Sequence, residues 1–169
     1  MKTERRMKRN VPEFQPPEPK IIESAKLLAE QIPESVIKSL NIITNMFFKK
    51  YSNNYIYEIN FPIDSLLNQI KYNSFRFLNL YSLSFPPSLS ILLPQALKGC
   101  HHLTQIEFNS NQSNPIVLKY ICDKAFRDTK ISSIIIPSSV KEIGSLCFPF
   151  CISKIELENG LPELKKIED

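Results

Sequence analysis

Apolar positions recur along the C-terminal two thirds of the chain with a spacing much longer than that of a helix or a strand. Four stretches align residue class by residue class: 67–85, 89–108, 118–136 and 140–157. In each, a small residue precedes a large apolar one, and successive pairs lie 22, 29 and 22 residues apart: Ser74-Phe75, Ala96-Leu97, Ala125-Phe126 and Cys147-Phe148. The longer spacing contains a polar insertion at residues 109–114. A period near 22 residues is typical of a solenoid, whose units bury their apolar faces against one another.

Each unit closes with two apolar residues separated by one residue, which is the alternation of a short strand with one buried face. The inward-facing pairs predicted in this way are Ile59/Phe61, Leu83/Phe85, Ile106/Phe108, Ile134/Ile136 and Ile155/Leu157. The pattern predicts a mainly β solenoid over residues 55–169, with one short parallel strand per repeat joined by turns or short helical turns. Leu161, Leu164 and Ile167 begin a further, incomplete repeat, so we expect either a fragment or a partner that covers the open end.

The residues before the repeats follow a helical period instead. Apolar residues recur at steps of three and four on both sides of Pro33: Ile21, Ala25, Leu28 and Ile32, then Val36, Leu40, Ile43 and Phe47. This spacing predicts two short amphipathic helices that form an N-terminal cap over residues 20–54. A degenerate first repeat over residues 33–61 is the alternative. Residues 1–19 join a basic start to a stretch with four prolines, which predicts a disordered tail.

The net charge of +4 lies entirely in residues 1–10, which hold five basic residues and one acidic residue, so the rest of the chain is neutral. A nucleic-acid interface on the folded part is therefore not favoured. With three glycines the chain has no phosphate-binding loop. No apolar run is long enough to cross a bilayer, and no secretion signal follows the charged start.

The chemistry-bearing residues predict neither catalysis nor cofactor binding. No catalytic motif is present, and the two histidines, His101 and His102, adjoin each other beside Cys100 in a predicted turn. Adjacent residues diverge, so we expect no metal site there. The four cysteines have no metal-ligand spacing and suit reduced thiols, so disulfides are not expected.

The best-defined unit resembles the BspA-like class of leucine-rich repeats, whose pattern is P-x-S-V-x-x-I-G-x-x-A-F-x-x-C-x-x-L-x-x-I-x-I. The matching residues are Pro137, Ser139, Val140, Ile143, Gly144, Cys147, Phe148 and Cys151, followed by Ile155 and Leu157. The resemblance covers residues 61–169, although the glycine of the pattern is kept only at Gly144. It implies that Cys100 and Cys151 fill a turn, while Cys147 stands where alanine is usual.

Residues that alternate with the inward pairs are predicted to point outward as two columns. One column is Asn60, Ser84, Glu107, Ile135 and Glu156, and the flanking one is Glu58, Ser82, Gln105, Ser133 and Lys154. This mixed, mildly acidic surface suits a protein or peptide partner better than a polyanion. Ile135 is the one apolar residue among them and a candidate contact. The alternative is that these are only solvated strand residues.

We therefore expect a non-enzymatic interaction module with no cofactor, no metal and no membrane insertion. The resemblance implies a surface antigen or adhesion protein that binds a host-surface partner. The absent signal and the free cysteines favour the cytoplasm, where the chain would be a scaffold or adaptor. In that setting the acceptor sequence Asn111-Gln112-Ser113 would carry no glycan. Nucleic-acid contact through the basic tail is a third, less favoured interpretation.

Overall fold

The computed structural model describes residues 40–44, 55–158 and 166–167. Eleven strands are found in these residues, short and longer ones alternating along the chain. In order they are β1 (Ile42–Ile43), β2 (Tyr55–Asn60), β3 (Gln69–Ile70), β4 (Asn79–Phe85), β5 (Ile91–Leu92), β6 (Gln105–Phe108), β7 (Tyr120–Ile121), β8 (Ser133–Ile136), β9 (Glu142–Ile143), β10 (Lys154–Leu157) and β11 (Lys166–Ile167). The described part of the chain contains no helix, and hence none that could cross a bilayer.

Every paired strand is parallel to its neighbour in the next repeat, which confirms the predicted solenoid. The short strands form a six-stranded sheet in the order β1-β3-β5-β7-β9-β11, called the short sheet below. The longer strands lie on the other side of the stack as β2-β4-β6 and β8-β10. Each repeat thus contributes two strands, one more than predicted. The additional strand has two residues, too few to give a period-two signal of its own.

The core lies between these two sides and consists of the apolar positions that define the period. Phe75, Leu97 and Phe126, the large members of three small–large pairs, are fully buried. Their backbone N–H groups donate to the small residue of the following repeat: Phe75 to the Ala96 oxygen, Leu97 to that of Ala125, and Phe126 to that of Cys147, each at 2.9 Å. The small residues Ala96, Ala125 and Cys147 therefore lie where the backbones of adjacent repeats are hydrogen-bonded to each other.

A left-handed turn precedes each small residue. The turn residues are Asn73, Gln95, Lys124 and Leu146, with φ of 56°, 59°, 56° and 49°. The serine of the Pro-x-Ser element joins repeats in another way, because Ser139 Oγ donates to the Leu118 oxygen at 2.9 Å. Ser88 Oγ donates likewise to the Leu67 oxygen at 2.8 Å. Side-chain hydroxyls thus supplement the backbone ladder between repeats.

Of the predicted helical cap, residues 20–54, the structure describes only residues 40–44, and there the helix prediction is wrong. Ile42–Ile43, assigned to the second helix, form strand β1 and pair with Gln69–Ile70. Ile43 is fully buried, and its oxygen accepts a hydrogen bond from Ser74 Oγ at 2.9 Å. Two adjacent β-branched residues suit a strand, and pairing with the next repeat outweighs the helical spacing. The other predicted helical residues, 20–39 and 45–54, and the tail, 1–19, lie outside the described residues.

The ladder of longer strands is interrupted between β6 and β8. Lys130 N donates to the Leu103 oxygen at 2.8 Å just before these strands, yet no backbone hydrogen bond joins β6 to β8 themselves. The short sheet is continuous across the same two repeats, since β5 pairs with β7. The repeats therefore stay stacked on one side and separate on the other. The polar insertion at residues 109–114 directly follows β6, at the repeat where the ladder is interrupted.

Candidate functional site

The outward side of the longer strands β2, β4, β6, β8 and β10 is called the strand face. The predicted alternation holds along β8, where Ile134 and Ile136 are buried while Ser133 and Ile135 are exposed. Glu58 and Asn60 are exposed on β2, where the Asn60 amide donates to Glu58 Oε1 at 3.4 Å. These residues face solvent as the sequence predicted.

Two parts of the strand face differ from the prediction. Ser84 is only 4% exposed, although it was expected on the surface. It is paired with Asn60 on one side and Glu107 on the other, and its side chain is shorter than either. Ile155 and Leu157, predicted to be buried, are 43% and 44% exposed. They keep the predicted register with β8, but β10 is the outer strand among the described residues, so nothing described covers them.

The interrupted ladder opens a cleft of ≈ 560 Å³ on the strand face. Five of the predicted surface residues line it: Glu107, Ser133, Ile135, Lys154 and Glu156. The other five, Glu58, Asn60, Ser82, Ser84 and Gln105, lie on β2, β4 and β6 and are not among its lining residues. Half of the residues in the two predicted columns therefore line one cleft, and the other half lie outside it.

The cleft has an apolar floor that the sequence did not reveal. Ile106 and Phe108, assigned to the core, are only partly buried and line the cleft together with Ile116. The Phe108 ring stacks on that of Phe85 at 5.3 Å between centroids. The sequence carried one sign of this opening, the spacing of 29 residues across the insertion. The repeat pattern itself attributes that spacing only to the polar insertion at residues 109–114.

The rim of the cleft is acidic. Glu107, Glu156 and Glu158 contribute three carboxylates, against the single ammonium group of Lys154. Lys154 Nζ forms an ion pair with Glu156, and Glu158 Oε2 accepts a hydrogen bond from Ser138 N at 3.3 Å. The net charge of the lining residues is therefore −2, which favours cationic over anionic ligands.

The cysteines and histidines do not gather into a site. Cys100 Sγ donates to the Phe75 oxygen at 2.9 Å, whereas His101 Nδ1 lies 3.0 Å from the Asp128 oxygen, so these neighbours point to different repeats. Burial raises the pKa of the Cys100 and Cys147 thiols to about 12. Cys151 is exposed, yet it lies in a turn as the resemblance implied, and its Sγ donates to the Ile131 oxygen of the preceding repeat at 3.4 Å. Residues 40–44, 55–158 and 166–167 include no group of three potential metal ligands.

Comparison with known proteins agrees with the repeat pattern. The profile of the BspA type leucine rich repeat region, in six copies, matches residues 24–154 and 119–167. No curated protein matches the chain.

Solved structures with the same architecture include the pneumococcal vaccine antigen PcpA, at a TM-score of 0.58 and 25% identity. That match covers 63% of this chain and 26% of PcpA, so the chain corresponds to about a quarter of PcpA. A leucine-rich repeat protein from Bacteroides capillosus matches at a TM-score of 0.50 and 19% identity, covering 60% of this chain and 75% of that one. The second match supports the fold alone.

Proposed function

Because the chain belongs to the BspA-type leucine-rich repeat family, we propose that it is a non-enzymatic module that binds a protein or peptide partner through its strand face. The observation that carries the proposal is the cleft between β6 and β8, where predicted surface residues surround an apolar floor. Such a concave surface, apolar within and polar at its rim, has the composition of a protein-recognition site.

Ile135 is the residue on which we expect binding to depend most. Its side chain is 58% exposed and lines the cleft beside Glu107 and Glu156. An exposed isoleucine contributes little to folding, but it becomes buried when a partner covers the cleft. The proposal therefore predicts that changes at Ile135 affect binding far more than stability.

The test is a quantitative pull-down with the full chain as bait. A partner of the strand face is retained by the wild type, lost with Ile135→Glu combined with Glu107→Lys, and retained by Leu66→Glu. Leu66 is a matched control because it is 64% exposed and lies outside the strands and the cleft lining. Partners that survive the double substitution, or are lost equally with the control, would contradict the proposal.

The two settings considered from the sequence lead to different partners. PcpA is described as a vaccine antigen, which supports a partner on a host surface. The buried thiols of Cys100 and Cys147 and the exposed thiol of Cys151 support a reducing compartment and a scaffold or adaptor role. Fractionation of the native cell, followed by thiol labelling without reductant, distinguishes the two. Labelled Cys151 in the cytosolic fraction supports the scaffold, and protein at the cell surface supports adhesion.

Nucleic-acid binding through the basic tail is tested by deleting residues 1–10. A salt-sensitive affinity for nucleic acid that disappears with the deletion would favour this third function. A partner bound at the strand face is expected to be indifferent to it.

A further inference from the structure

Resting on the proposed function, we propose that the cleft binds an extended peptide segment carrying basic residues, which pairs as an added strand with the open edge of β8. The interrupted ladder leaves strand edges without a described strand partner beside the cleft. A parallel strand directs the backbone groups of alternate residues to opposite neighbours. The edges of β6 and β8 that face the cleft therefore carry backbone donors and acceptors that no described strand uses.

The identity of these groups follows from the strand register. The Ile136 oxygen accepts a hydrogen bond from Glu158 N at 3.0 Å, and the Ser132 oxygen accepts one from Ser153 N at 2.8 Å. The backbone groups of the even-numbered residues of β8 are therefore bonded to β10. The N–H and C=O groups of Ser133 and Ile135 therefore face the cleft. On the other side of the cleft, Asn109 N donates to the Phe85 oxygen on β4, so the odd-numbered residues of β6 bond to β4. The backbone N–H and C=O groups of Ile106 and Phe108 are therefore directed toward β8.

Such an edge is unlike the outer edge of β10. It lies inside the stack, next to an apolar floor of Ile106, Phe108 and Ile116 and below the exposed side chain of Ile135. An extended peptide added at a sheet edge gains affinity from backbone hydrogen bonds and specificity from alternate side chains that enter pockets. The cleft offers both, because β8 supplies the hydrogen bonds and the floor receives an apolar side chain.

The charge of the rim selects the kind of peptide. Its net charge of −2 comes from Glu107, Glu156 and Glu158 against Lys154, and the Lys154 ammonium is already paired with Glu156. Lysine or arginine at the outward positions of the peptide would lie near unpaired carboxylate oxygens, whereas phosphate or acidic side chains would be repelled. We therefore expect an alternating apolar and basic segment.

The test uses the full chain and synthetic octapeptides with blocked ends, measured by fluorescence anisotropy. The probes are four Val-Lys repeats, four Val-Glu repeats, and the Val-Lys peptide N-methylated at alternate residues in each of the two registers. We expect saturable binding of the Val-Lys peptide, no binding of the Val-Glu peptide, and loss of binding for one of the two methylated registers. Equal binding of all four peptides would contradict strand pairing.

Two substitutions of Ser133 test whether its backbone N–H takes part in binding. Ser133→Pro removes an N–H that faces the cleft without touching the bonds to β10, and proline is tolerated at an open strand edge. Ser133→Thr keeps the N–H and is the matched control. We expect Ser133→Pro to weaken binding about tenfold relative to Ser133→Thr, with unchanged thermal melting confirming that both fold. If Ser133→Pro does not fold, the two methylated registers supply the same comparison.

The outcomes separate this inference from the proposed function. If the Val-Lys peptide binds wild type, Ser133→Pro and Ser133→Thr equally but not Ile135→Ala, the strand face binds peptides without strand addition, and only the inference fails. If a strand-face partner is confirmed by pull-down but the Val-Lys peptide does not bind at millimolar concentration, the inference fails again. If deletion of residues 1–10 makes the peptide bind more tightly, the chain's own basic segment is the occupant, and an external partner is overturned.

Discussion

Replacing Gly144 with alanine is expected to destabilise the solenoid by about 3 kcal/mol. A Cβ at this position would lie 2.2 Å from Asp123 Oδ1, 2.5 Å from Asp123 N and 2.8 Å from the Cys122 carbonyl carbon. Two of these three atoms belong to the backbone of the preceding repeat and cannot rotate away. Gly144 N is also bonded to the Ile121 oxygen at 2.8 Å, so relief of the overlap requires the two repeats to separate.

Overpacking in a well-packed interior costs about 1 to 3 kcal/mol, and we expect the upper end because backbone atoms are involved. For a chain of this size each kcal/mol lowers Tm by about 2 to 4 °C, which gives a decrease of about 6 to 12 °C. The assay is thermal and urea unfolding followed by circular dichroism. The matched control is Cys122→Ala, which occupies the same position one repeat earlier and adds no atoms. A Gly144→Ala variant within about 0.5 kcal/mol of wild type would refute the close approach of these repeats.

Three further predictions concern the packing between repeats. Ser139→Ala removes the hydrogen bond to the Leu118 oxygen and is expected to lower the free energy of unfolding in urea by about 1 kcal/mol. Ser138→Ala is the control, because the Ser138 side chain is also partly buried, and it is expected to lower the free energy of unfolding less. Equal losses would contradict the role of Ser139. Iodoacetamide is expected to modify exposed Cys151 in the native protein and to reach buried Cys100 and Cys147 only on unfolding, as peptide mass spectrometry would show; modification of all three at one rate would be inconsistent with the fold. Both buried thiols have a pKa raised from 9.0 to about 12, so the unfolded chain loses these protons at lower pH than the folded one. The free energy of unfolding should be unaffected by the thiols below pH 9.0 and fall between pH 9.0 and about 12, more steeply for wild type than for Cys100→Ala; identical pH slopes would contradict the burial.

The stacking of repeats could be predicted from the sequence because the same interactions recur in every turn. Phe75, Leu97 and Phe126 are buried at equivalent positions, so a large apolar side chain is needed at the same position of each repeat. The small residue before each of them marks the point where a backbone hydrogen bond crosses to the neighbouring repeat. Because the packing between repeats recurs with each turn, the spacing of small and large residues in the sequence recurs with it.

The short sheet and strand β1 could not be predicted in the same way. Ile42–Ile43 forms a strand because a neighbouring repeat is present to pair with it, and two residues carry no periodicity. The helical spacing was therefore a misleading local signal at Ile42–Ile43. Pairing between repeats is a tertiary interaction, and it decides the backbone conformation of such short segments.

The candidate site was only half predictable. Alternation along the strands identified Glu107, Ser133 and Ile135 as outward-facing, and they line the cleft. The same alternation assigned Ile106 and Phe108 to the core, where a continuous ladder would have placed them. The ladder is interrupted between β6 and β8, next to an aperiodic feature, the insertion at residues 109–114. Its effect depends on how the loop packs, which residue types do not specify.

Amide hydrogen exchange along strand β8 is the most direct test of the open cleft on the strand face. In the free protein the amides of Ser133 and Ile135, which face the cleft, should exchange quickly. Those of Ile134 and Ile136, bonded to β10, should exchange slowly. Binding of a peptide in the cleft should slow the first two. Slow exchange of all four amides in the free protein would show that β6 and β8 form a closed ladder, and it would contradict the account.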